Sequence, residues 1–87
     1  MKRRFQGYQV SKTVNLKQAN ELLNEDCTRN VGKFTFIEKR FVAWILDSNG
    51  KFLSYTSFLK DSDLLKDHRI YLVPRQEGIS ECYEVAA

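Results

Sequence analysis

Residues 41 to 57 read FVAWILDSNGKFLSYTS, and from Phe41 to Leu46 there is no polar break. A strand with one wet face alternates apolar and polar residues, so this run predicts a strand covered on both sides. DSNG then predicts a reversal into KFLSYTSFL. Asp47, Ser48 and Asn49 suit right-handed turn conformations, and Gly50 suits the left-handed position that closes a three-residue loop with a bulge. A two-residue Asn49-Gly50 turn is the alternative, and the choice matters because a one-residue slip changes every cross-strand pair. The shorter loop sets Trp44 against Tyr55 and Leu46 against Leu53. The longer one sets Trp44 against Ser54.

Upstream, RRFQGYQVSKTV reads as one polar edge strand, with Arg4, Gln6, Tyr8 and Val10 on one side. Gly7 hints at a bulge. Asn15 then predicts a helix cap, with Gln18 placed to return the hydrogen bond. The helix runs from Leu16 to about Glu25. Leu16, Ala19, Leu22 and Leu23 form its apolar stripe, while Lys17, Asn20, Glu21 and Asn24 face water. Asn30 and Gly32 close this unit, KFTFI adds a strand, and EKR either turns the chain or continues it. KDSDLLKDH allows only a short helix, capped by Asp61 or Ser62. RIYLV makes a strand stopped by Pro74, and ISECYEV reads as a final edge strand with one wet face.

The expected fold is α+β, an antiparallel sheet of four or five strands with one main helix on one face. The order is β-α-β-β-(short α)-β-β, in one small domain over residues 1–87. A ten-residue helix is about 15 Å long and cannot cover both faces of such a sheet. The second apolar face must be closed by strong curling, by loops, by a second copy or by a partner.

Composition supports a folded protein: 43% of residues are hydrophobic and 29% charged, which excludes disordered and collagen-like classes. No window resembles a membrane-spanning helix. MKRR is followed by no apolar core, so export is not expected and a cytoplasmic protein is. Cys27 and Cys82 then read as reduced thiols rather than a bridge.

Nothing points to an enzyme or to a cofactor. His68 is the one histidine, and no spacing joins it to either cysteine as a nucleophile–base pair. Two Cys and one His so far apart make no zinc motif, and Asp61, Asp63 and Asp67 lack the glycine and terminal glutamate of a calcium loop. No membrane contact or small-molecule substrate is implied.

Charge and aromatics leave two binding readings. The net charge is only +3, but residues 1–20 hold Lys2, Arg3, Arg4, Lys12 and Lys17 without an acid, while the last twelve hold Glu77, Glu81 and Glu84 without a base. The two ends can complement each other within one fold. Alternatively, Lys2, Arg3, Arg4 and Lys12 can steer an anionic partner, with Tyr8 stacking a base beside Arg4, as in a nucleic-acid-binding module. The element order is similar to that of the RNA-recognition motif. Phe52 and Leu53, however, replace the glycine and first stacking ring of its third strand, so no family is assigned. The favoured reading is contact with a protein partner, or a homodimer, through the sheet. Trp44, Leu46, Leu53 and Tyr55 anchor it, because an exposed apolar patch of about 400 Å² or more marks an interaction site.

Overall fold

A computed structural model describes residues 3–86. The chain begins with a tight hairpin, β1 (Arg4–Phe5) and β2 (Tyr8–Val14). Gln6 and Gly7 both take positive φ, at 50° and 86°, and set Phe5 opposite Tyr8. That geometry is the type I′ turn whose twist matches an antiparallel pair. The expected single N-terminal strand is therefore folded in two, because Gly7 tolerates the left-handed conformation and Gln6 accepts it.

Helix α1 spans Leu16–Leu23. Its capping box is complete: Gln18 N donates to Asn15 Oδ1 at 2.8 Å, and Asn15 N donates to Gln18 Oε1 at 3.1 Å. The next segment does not close a unit. It makes β3 (Asp26–Val31), paired across Gly32-Lys33 with β4 (Phe34–Lys39). The chain bends at Arg40 and continues as β5 (Phe41–Leu46), then β6 (Phe52–Thr56). A one-turn helix α2 (Leu64–Asp67) precedes β7 (Arg69–Pro74) and β8 (Glu81–Val85). Asp63 is the α2 N-cap and makes no capping bond with its side chain, while Asp61 Oδ1 accepts from Asp63 N at 2.9 Å. The expected cap at Asp61 is thus an Asx turn just before the helix.

The fold is α+β, but the main sheet has six strands in the order β1-β2-β8-β7-β5-β6, and β3-β4 stand apart as a two-stranded arm. The sheet is mixed, since β2 and β8 run parallel. This corrects the expectation of a four- or five-stranded antiparallel sheet. It also moves β8 from the edge to the interior, where Cys82 and Val85 are buried.

One face of the sheet meets α1. Ala43, Ile45, Ile70, Leu72 and Val85 pack there with Ala19 and Leu23, and with Leu59 from the loop after β6. Asn20, expected in water, holds that loop: its amide donates to Leu59 O and accepts from Leu59 N, both at 2.8 Å. The second face is closed by curling. The β1 end of the sheet wraps over the middle strands, so that Phe5, Tyr71, Val73, Cys82 and Leu46 form a second core. Phe5 stacks on Tyr71 with centroids 4.1 Å apart and meets Trp44 edge-on at 5.7 Å.

A bulge at Ser11 makes this two-sided use of β2 possible. The register slips between Val10 and Lys12, so Val10 faces the second core and Val14 the first, although they are an even number of residues apart. Ser11 Oγ donates to Cys82 O at 3.3 Å. The basic start and acidic end do meet, since Arg3 forms an ion pair with Glu84. Arg3 is largely exposed there, so the pair is worth no more than about 1 kcal/mol.

Candidate functional site

The curl covers only part of the second face. Phe5 reaches Tyr71 and Trp44, and beyond Trp44 the surface opens toward β6. Val42, Trp44, Phe52, Tyr55 and Arg75 line a depression of about 550 Å³ there. Local turn chemistry sets its composition. Asp47 N donates to Lys51 O (2.8 Å), Gly50 N to Asp47 O (3.0 Å), and Asp47 Oδ1 accepts from Asn49 N and Lys51 N. The loop is thus the three-residue form, Ser48–Gly50, with Gly50 at φ 85°.

Two residues further along, the register changes. Leu46 pairs with Phe52, Ile45 with Ser54 and Trp44 with Tyr55, leaving Leu53 as the extra residue of a bulge. The long loop at the turn and the short-loop pairing beyond it therefore coexist. The result places Trp44, Phe52 and Tyr55 on one face, with the Trp44 and Phe52 rings edge-to-face at 5.3 Å. Leu53 and Tyr55 are exposed, Trp44 is half-buried and Leu46 is fully buried. Of the four residues expected to anchor a contact, Leu46 is a core residue that a partner cannot touch. Phe52, missed in the sequence because the register was open, takes its place on the surface.

β6 is also an edge of the sheet, and among the described residues no strand lies beside its outer backbone groups. Natural edges are usually guarded by charge or proline. From Phe52 to Leu59 there is neither. The Leu53 bulge and the short length of the strand are what protect it.

The chain matches no protein-family model, no curated protein and no solved structure.

The basic N-terminal set is dispersed. Lys2 lies outside the described residues, and Arg3 is engaged with Glu84. Arg4 pairs with Gln9 in the hairpin while Phe5 pairs with Tyr8, so Arg4 and Tyr8 stand on opposite faces. Tyr8 packs against the second core, and Lys12 is exposed farther along β2. An Arg4–Tyr8 clamp on one strand face is thereby corrected: the Gln6-Gly7 turn separates them.

The residues with reactive chemistry are likewise apart. Cys27 is a free thiol on the arm, and Cys82 is a free thiol in the second core. Burial, followed by the nearby Glu84 carboxylate, pushes the Cys82 thiol up to about 11, so it stays protonated at neutral pH. The same two causes raise the Tyr71 hydroxyl. His68 follows α2, where Nδ1 donates to Leu64 O at 3.0 Å. Among the described residues no cluster of three metal-ligating side chains occurs, and no helix is long and apolar enough to cross a membrane.

The arm is a second unpartnered apolar feature that sequence reading missed, because KFTFI was placed in the main sheet. Its register groups Cys27, Arg29, Val31, Phe34, Phe36 and Glu38 on one side. Val31, Phe34 and Phe36 are exposed. The Phe34 and Phe36 rings lie 6.4 Å apart, and the Arg29 guanidinium sits 5.9 Å over Phe36. At the base of the arm Lys39 Nζ donates to Asn24 O (3.2 Å) and Arg40 N to Glu25 O (3.1 Å), while the Lys39–Asp26 pair (2.9 Å) joins its two strands; farther out, Arg29 shares a hollow of about 380 Å³ with Arg75, Gln76 and Glu77.

Proposed function

We propose that this chain is a small, non-enzymatic binding module, working in the cytoplasm, that docks another protein surface through the β5–β6 side of its sheet. One observation carries the reading: a half-buried Trp44 flanked by exposed Phe52, Leu53 and Tyr55, beside a sheet edge without a charge from Phe52 to Leu59. Trp and Tyr concentrate binding energy at interfaces, and a free edge adds main-chain hydrogen bonds when a strand lies along it. One cation, Arg75, lines the depression, which suits a protein better than a polyanion.

The test is parallel affinity purification of the native protein and a Tyr55→Lys variant. Tyr55 is exposed, so the variant keeps its fold, checked by circular dichroism. A protein species, the chain itself included, retained by the native form and lost from the variant supports the reading. Equal retention by both, or co-purifying nucleic acid held equally by Tyr55→Lys, overturns it.

A further inference from the structure

The chain carries two exposed apolar features of opposite shape. One is a ridge, the face of the β3–β4 arm with Val31, Phe34 and Phe36; the other is the depression beside β6. Both also offer unpaired strand edges. β6 ends the six-stranded sheet, and among the described residues β3 and β4 pair only with each other.

We propose that the arm of one chain lies along β6 of a second copy, and reciprocally, giving a two-fold arm-exchanged dimer. Phe34 and Phe36 of each chain then cover Phe52, Tyr55 and Trp44 of the other. This rests on the β5–β6 docking surface proposed above and names its occupant.

Area selects a second copy joined in this way. Val31, Phe34 and Phe36 are 46–70% exposed and Phe52, Leu53 and Tyr55 are 45–68% exposed. Taking about 200 Å² for a full aromatic side chain and about 120–160 Å² for Val and Leu, each feature offers roughly 300 Å² of apolar surface. Either one pressed against its own copy would bury about 600 Å², the scale of incidental contacts. Ridge against depression, made twice, buries about 1,200 Å² and reaches the lower bound of specific, stable interfaces. The arrangement is closed, since a reciprocal contact leaves neither feature free to recruit a third chain.

The experiment is sedimentation equilibrium on the intact protein, an arm variant (Phe34→Ser with Phe36→Ser) and Tyr55→Lys. Both variants alter exposed side chains, and circular dichroism verifies their folds. The native protein is expected at twice the 10.2 kDa chain mass at tens of micromolar, with each variant associating at least about 30-fold more weakly. The equimolar mixture of the two variants should associate again, more weakly than the native dimer, because one intact arm still meets one intact β6. A native monomer at every concentration overturns the dimer, and so does a mixture that fails to associate. An arm variant that stays dimeric while Tyr55→Lys dissociates overturns the arm as occupant and leaves the docking surface standing. If Tyr55→Lys changes no association with any protein, that surface itself is refuted.

Discussion

Phe5 is the side chain through which the N-terminal hairpin closes the second face, so Phe5→Ala is the sharpest probe of the curled sheet. It is buried between Tyr71, on which it stacks, and the edge of Trp44. Truncation removes about 100–120 Å² of buried apolar surface, or about 3 kcal/mol at 25 cal/mol per Å². The lost aromatic pairs add about 0.5–1.5 kcal/mol each, but a two-residue edge strand can settle into the gap, so about 3 kcal/mol is the working figure. A chain of 87 residues has roughly 4–13 kcal/mol in total. The midpoint of thermal unfolding should therefore fall by about 12–24 °C. Trp44 is the one tryptophan and lies against Phe5, so its emission should shift to the red and acrylamide should quench it faster in the folded variant. Unchanged Trp44 emission with a midpoint within about 3 °C of native would show that β1 does not cover the second face.

Asn20→Ala should cost about 1–3 kcal/mol in urea unfolding, because both of its bonds to Leu59 are lost and the loop carrying that buried residue is released; a change below about 0.5 kcal/mol would mean the loop is held by other contacts. Cys82 should resist a thiol reagent in the folded protein at pH 8 while Cys27 reacts, giving one labelled thiol per chain by mass spectrometry; two labelled thiols at equal rates would place Cys82 at the surface. The same thiol makes stability fall with alkali. Above its unfolded value near 9 the unfolded chain loses the proton while the folded chain keeps it until about 11, so stability is full below pH 9 and declines, by about 3 kcal/mol, between the two. The raised Tyr71 hydroxyl acts in the same direction, and a flat profile from pH 8 to 11 would contradict the burial of both.

Local chemistry was the most readable part of the sequence. Asn15 and Gln18 announce the cap of α1, and the unbroken apolar run of β5 announces a strand covered on both faces; both are found. Gln6-Gly7 hid a turn, because Gln carries no preference for positive φ and the hairpin it closes has only two residues in its first strand. The bulges at Ser11 and Leu53 are invisible to a period-two pattern, yet they decide which residues face which side. The Leu53 bulge brings Phe52 to the face of Trp44, whereas Leu46 is buried because the curled β1 end covers its part of that face. The arm was missed on different grounds. KFTFI has the composition of a sheet strand, and only the bend at Arg40 and the pairing with Asp26–Val31 withdraw it from the sheet. The parallel β2–β8 pair joins the two ends of the chain, and no local pattern encodes that contact.

If the outer edge of β6 is a contact strand, amide hydrogen exchange reads it directly. In concentrated native protein the amides of Phe52–Thr56 that point away from β5 should exchange slowly. They should lose that protection on dilution and in Tyr55→Lys. Fast exchange at those amides at every concentration, in a protein whose β7 amides remain protected, would show that the edge takes no strand.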